Sequence, residues 1–255
     1  MKEFLFSLKE RTEVLFYFGL ICLFAAVCCL VLTKTSMMQV LGTSAWFKPF
    51  KFFLSSAIFV WSMGWYLHYL GNSPSINWYS WGMVALLGIE NLYITMQAAR
   101  GLASHFNVTT PSLAMMWSVM AGAAVAISIW TAVVSFPFFT QSFPLLPTSY
   151  VWGIRLGLIV FVIFSLQGLT MGARMAHTVG GLDGGPGLLV VNWSTLHGDL
   201  RVAHFMGMHG LQVLPLLGFF VLRKPIFILI AGVFYVGTTT GVFLQAILGR
   251  PFLKL

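Results

Sequence analysis

The sequence predicts an all-α transmembrane bundle of seven helices, with one long glycine-rich loop between the fifth and the sixth. Three observations predict it. The 255 residues are 58% hydrophobic and only 8% charged, against about 25% charged in a soluble domain, so water is not the solvent for most of the surface. Seven apolar runs have the length, roughly 20 residues, that crosses a hydrocarbon core of about 30 Å. The breaks between runs carry turn and stop chemistry: Gly71-Asn-Ser-Pro74, Thr109-Thr-Pro111, Pro144 to Pro147 and Lys224-Pro225.

Residues 2–13 read as a short interfacial amphipathic helix. The first run, 14–33, is long enough to be a retained span rather than a cleaved signal. It holds all three cysteines, Cys22, Cys28 and Cys29, which have no second cluster to pair with and read as packed thiols. The second run, 49–70, opens on Pro49, where a missing N–H costs nothing. The third, fourth and fifth runs are 76–99, 112–136 and 150–175. The longest connection, 178–197, carries Gly180, Gly181, Gly184, Gly185 and Gly187, which permit tight turns. Its apolar stretch 188–193 reads as backbone that dips back into the membrane where protein buries it. The sixth and seventh runs are 200–222 and 226–248. With no repeat period and no low-complexity tract, residues 1–255 read as a single integral-membrane domain.

A net charge of +8 raises nucleic acid as a partner. The basic residues are scattered at the ends of apolar runs, with no basic domain, and this excludes it. They are membrane-boundary residues. One side of the bundle, side A, holds Lys34, Lys48, Lys51, Arg100, Arg174, Arg201, Arg250 and Lys254. The other side holds Lys2, Lys9, Arg11, Arg155, Arg223 and Lys224, and two of its loops have no basic residue. The positive-inside rule then puts side A and the C-terminus in the cytoplasm and the N-terminus outside.

Polar residues inside the runs fall three and four apart, which puts them on single helix faces. The third run shows Glu90, Tyr93, Gln97 and Arg100, and the fifth Gln167, Thr170, Arg174 and His177. The sixth segment shows His197, Arg201, His204 and Met208, and the second Lys48, Lys51, Ser55 and Ser62. A polar stripe facing lipid is costly, so these faces are expected to look inward, as a funnel opening on side A. Glu90 lies about 15 Å below Arg100, near the midplane, and His209 about 12 Å below Arg201. A carboxylate at that depth must pair, bind a cation or hold a proton. Glu90 and His209 are therefore the candidate catalytic or coupling groups, and Glu90 is expected to bond to a polar residue of the fifth or sixth run. The plainer reading of Glu90 is a packing hydrogen bond.

Around the mouth, Lys48, Lys51, Arg100, Arg174 and Arg201, with Gln97, would bind an anionic lipid headgroup, a phosphate or haem propionates. Taken singly, each basic residue also reads as ordinary boundary charge. His105, His177, His197 and His204 lie near the same boundary, with Asp183 and Asp199 able to complete a ligand set for a haem or transition metal. The plainer alternative is a set of interfacial histidines bonded to loops, since no His-x-x-His, His-x-x-x-His or Cys-x-x-Cys spacing occurs.

Several classes are excluded by residues. The glycine loop is not followed by Gly-Lys-Ser/Thr, and no Gly-x-Ser-x-Gly is present. The seventh run has neither the lysine of a retinal Schiff base nor the histidines of seven-span hydrolases of the alkaline ceramidase type. Four groups of segments remain: Lys48-Pro-Phe-Lys51; Gln97-Ala-Ala-Arg-Gly101 with His105-Phe-Asn107; His177-Thr-Val-Gly-Gly with Asp183-Gly-Gly-Pro-Gly187; and Gly198-Asp-Leu-Arg-Val-Ala-His204. Over most of the chain they resemble bacterial multi-pass membrane proteins of unassigned function. The resemblance implies a bacterial inner membrane and carries over no catalytic role. Three functions fit: a redox or sensor protein binding haem or a metal through the side A histidines; a proton-coupled transporter or channel for a small solute; and a membrane-embedded enzyme acting on an anionic lipid.

Overall fold

The computed structural model describes residues 2–254. The chain is all-α, with two minimal β-ladders. Helix α1 (Lys2–Arg11) stops at Thr12 and α2 (Glu13–Thr35) follows at once. Strands β1 (Gln39–Val40) and β2 (Thr43–Ser44) pair antiparallel through Leu41 and Gly42, both at positive φ. Then come α3 (Phe47–Leu67), α4 (Pro74–Ala99), α5 (Pro111–Ser135), α6 (Pro137–Thr140) and α7 (Thr148–Arg174). A second ladder, β3 (Thr178–Val179) with β4 (Gly198–Asp199), leads into α8 (Leu200–Leu216), which runs on as a π-helical turn at Leu217–Val221. Helix α9 (Pro225–Ile247) is the last.

Local chemistry sets the ends. Helix α3 begins two residues before Pro49, which sits in the first turn where its missing N–H breaks no bond. Helix α4 begins at Pro74 because the Ser73 hydroxyl accepts from the Ile76 N–H at 3.4 Å. Pro215 inside α8 removes a helix donor, and the π turn follows it.

Five helical stretches are long and apolar enough to cross a membrane: α2, α5 continued through α6, α7, α8 with its π turn, and α9. Most of each span is unburied. Phe24 and Val27 stand outward on α2, and Ile230, Val233 and Phe234 on α9. Apolar faces of that length suit lipid, as in a membrane protein. Helices α3 and α4 occupy the second and third expected runs but are not among the five. They carry Lys48, Lys51, Ser55 and Ser56, and Glu90, Asn91 and Gln97, among many aromatic side chains.

The chain packs as two compact units, Met1–Ile127 and Ser128–Leu255, dividing within α5. Hydropathy marks which helices are apolar and not which of them pack together, so the division is invisible in the pattern. In the first unit the Trp61 ring of α3 lies against Gly19 of α2, and its Nε1 donates to the Phe16 carbonyl at 3.2 Å. Phe4 of α1 stacks on Trp65, and the Arg11 guanidinium lies 3.8 Å from that ring's centroid. Tyr93 and Ile94 of α4 pack with Phe52, Met116 and Met120.

In the second unit α7 and α8 make the closest pair. A Cβ on Gly157 would stand 2.8 Å from the Gly210 carbonyl oxygen, and one on Gly153 2.6 Å from that of Leu214. In lipid, backbone approach of this kind is the main source of helix–helix packing. Gly157→Ala is therefore expected to lower stability by about 1–3 kcal/mol, the usual cost of overpacking. Gly241→Ala, at an open position of α9, is expected to leave it unchanged or raise it slightly. Thermal unfolding of the two variants in detergent checks the contrast.

Candidate functional site

In the first unit, α4 supplies a run of buried polar side chains: Glu90, Asn91, Tyr93 and Gln97. Asn91 Nδ2 donates to Ser56 Oγ of α3 at 3.0 Å, and Gln97 Nε2 donates to the Tyr93 hydroxyl at 2.8 Å. The two amide oxygens, Asn91 Oδ1 and Gln97 Oε1, are buried without a hydrogen-bond partner among the described residues. So are Ser44 Oγ and Trp46 Nε1, at the entry to α3. Buried polar atoms without partners are costly and uncommon, so the packing of this helix pair alone does not account for them. The charge acting on Glu90 is that of Lys48 on α3. The sequence points instead to a partner on the fifth or sixth run; the cation comes from the second.

Of the proposed anion-binding set, Lys48, Lys51, Gln97 and Arg100 belong to the first unit and Arg174 and Arg201 to the second. Lys48 and Lys51 are half-buried in the first turns of α3. Arg100 caps α4 and Arg174 ends α7, both exposed where a cation suits a helix C-terminus.

Arg201 is committed to a different task. Its Nε and Nη2 donate to the two oxygens of Asp199 at 2.9 and 2.6 Å, and Nη2 also reaches the Asn192 carbonyl. Asp199 caps α8 by accepting from the Arg201 N–H at 3.0 Å, and it accepts from the Ser194 N–H at 2.9 Å. Burial pushes the Asp199 carboxyl up, but the hydrogen bonds and charge of Arg201 and the Ser194 N–H outweigh it. They hold it below the usual carboxylate range. This knot ties the loop before α8 to the helix start. Within that loop, the stretch expected to dip into the membrane is a tight turn: Asn192 N–H donates to the Leu188 carbonyl at 2.7 Å, and Leu188 N–H to that of Trp193 at 2.9 Å. Val190 and Asn192 have positive φ, and Leu189 is fully outward at the tip.

Four of the five candidate histidines have a polar partner for Nδ1. His105, in the first unit, sets Nδ1 3.2 Å from Ser104 Oγ, with its ring among Phe52 and Trp117. His177 Nδ1 lies 3.2 Å from Asp183 Oδ1, and Asp183 also accepts from the Thr178 N–H at 2.9 Å. The His197 ring packs on Gly181, where a Cβ would collide with it. His204 Nδ1 lies 2.7 Å from the Phe164 carbonyl across the α7–α8 interface. His209 sets Nδ1 3.2 Å from Gln212 Oε1, with its ring against Phe205. Among the described residues no three His, Cys, Asp or Glu side chains come together as metal ligands.

Sequence reasoning missed Ser56, Asn91, Ser44 and Trp46. Asn91, an amide beside Glu90 in an apolar run, was a readable signal; Ser44 and Trp46 belong to a turn whose burial no pattern announces. No protein family, no curated protein and no solved structure matches the chain.

Proposed function

We propose that this is a seven-span membrane protein that carries protons or a small solute across the bilayer, with Glu90 as the coupling group. The observation that carries the reading is the buried Glu90, under the charge of Lys48 and on the same helix as two amide oxygens that lack partners among the described residues. Protonating Glu90 removes the charge that balances Lys48. The two protonation states then differ in net buried charge, which is the differential a coupled conformational step requires. His209, held to Gln212, is the weaker candidate for this role. Helices α3 and α4, of 21 and 26 residues, are about 32 and 39 Å long at 1.5 Å per residue, enough to cross a core of about 30 Å. They supply the sixth and seventh spans.

The test is reconstitution of the full chain in vesicles with a trapped pH-sensitive dye and an imposed pH gradient. Proton entry that depends on Glu90 is expected. A Soret band, or stoichiometric metal in the purified protein, would overturn this reading in favour of a haem or metal protein. The bacterial inner membrane, which rests on the resemblance, and the orientation with the N-terminus outside and the C-terminus in the cytoplasm, which rests on the basic residues of side A, complete the proposal. A reporter fused after Lys254 is expected to be active only in the cytoplasm; periplasmic activity would invert the topology.

A further inference from the structure

The buried positions Ser80, Met83, Leu87, Glu90 and Gln97 of α4 fall on one face. The face is polar at Glu90 and Gln97, apolar at Met83 and Leu87, and polar again at Ser80. Two fixed points set the register of α3 against it. Asn91 bonds to Ser56, and a cavity of about 20 Å³ is lined by both Gly64 and Ser80. Between these points lie Val60 and Met63 on α3 and Met83 and Leu87 on α4. The first three are fully buried and Leu87 is 8% exposed. The cavity has a mixed lining, with Arg11, Thr12, His68 and Asn72 beside Leu15, Leu67 and Ile76, and it has room for a single water.

We infer that this cavity is a second mouth of the Glu90 path, occupied by water, and that Val60, Met63, Met83 and Leu87 form an apolar gate between it and Glu90. The inference rests on Glu90 being the coupling group. From Ser80 to Glu90 is about 15 Å along the helix, and the apolar layer fills the middle of that distance. Apolar constrictions of this kind block conduction by excluding water. A carrier that couples through one carboxylate needs one side closed while the other is open. Here the polar side chains reach Glu90 from the Gln97 end, so the closed side is that of Ser80.

The gate is tested in the full chain with Cys22, Cys28 and Cys29 replaced by alanine, in vesicles of phosphatidylcholine and phosphatidylglycerol. Ser80→Cys is expected to react with a charged, water-borne thiol reagent at least about tenfold faster than Met83→Cys or Leu87→Cys. Equal reaction at all three positions, or reaction at none, overturns the gate. This labelling does not depend on any flux, so it is read separately from the transport proposal. In the flux assay Leu87→Ser is expected to raise proton entry about tenfold, and Glu90→Gln in the same chain to remove the rise. A rise that survives Glu90→Gln, or no rise in a chain that elutes like the wild type, also overturns the gate. Absence of Glu90-dependent entry in the wild type overturns the transport proposal instead.

Discussion

Glu90→Gln is expected to cut proton entry into vesicles by about a hundredfold or more, the usual loss when a proton-transfer group is removed, with the fold intact. The amide keeps the shape of the carboxyl and can still accept a hydrogen bond, but it cannot take up or release the proton. Glu90→Leu is expected to abolish entry as well and to differ in stability. The leucine needs no polar partner, which favours close packing of the helices, but it removes the carboxyl on which the Lys48 charge acts. Lys48→Met is the complementary variant, since it leaves Glu90 buried without the charge that acts on it. Rates from the trapped dye, set beside thermal unfolding in detergent, separate lost coupling from lost structure. A Glu90→Gln protein that moves protons at the wild-type rate removes Glu90 from the mechanism.

Much of the helical frame is legible in the sequence because its signals are local. The runs 14–33, 112–136, 150–175, 200–222 and 226–248 correspond to the five membrane-length helical stretches, and Ser73, Asp199 and Pro225 stand at helix starts where capping chemistry puts them. The stripe of Glu90, Tyr93 and Gln97 is also legible, since spacing fixes a face. Which cation reaches Glu90 is not. That depends on the register of α3 against α4, a tertiary fact that the sequence of either helix leaves open. Nearness to one membrane boundary groups His105, His177, His197 and His204 in the sequence, but in the fold His105 and His177 meet partners within a few residues of themselves, Ser104 and Asp183. Local polar groups in a loop compete well with any distant cluster. Arg201 departs from the expected rim for a related reason. Asp199, two residues before it, offers both oxygens to the guanidinium fork, and an acidic N-cap followed by an arginine is readable as a pair.

That pair gives the largest expected effect on stability. The Asp199 side chain is fully buried, and the Arg201 guanidinium is the cation bonded to it. Arg201→Met leaves the carboxylate with two backbone N–H donors and no bonded cation. Removing one partner of a buried pair costs about 3–5 kcal/mol. Arg201→Lys is expected to recover little of this, because a point ammonium cannot span both oxygens. Asp199→Ser with Arg201→Met is expected to be milder than Arg201→Met alone, since serine still caps α8 and no charge is stranded. The dependence on pH separates a lost ion pair from lost packing. In the wild type the Asp199 carboxyl titrates below its unfolded value of about 3.9. Its contribution is therefore full above that value and is lost as pH falls through the folded one. In Arg201→Met burial is opposed by the backbone donors but no longer by the guanidinium, so the carboxyl titrates higher than in the wild type and the stability its ionisation gives shrinks. Thermal unfolding in detergent from pH 3 to 8, about the range in which the carboxyl titrates, is expected to show a smaller rise in stability with pH for Arg201→Met than for the wild type. Parallel profiles would mean that the Asp199–Arg201 pair does not hold the loop to α8.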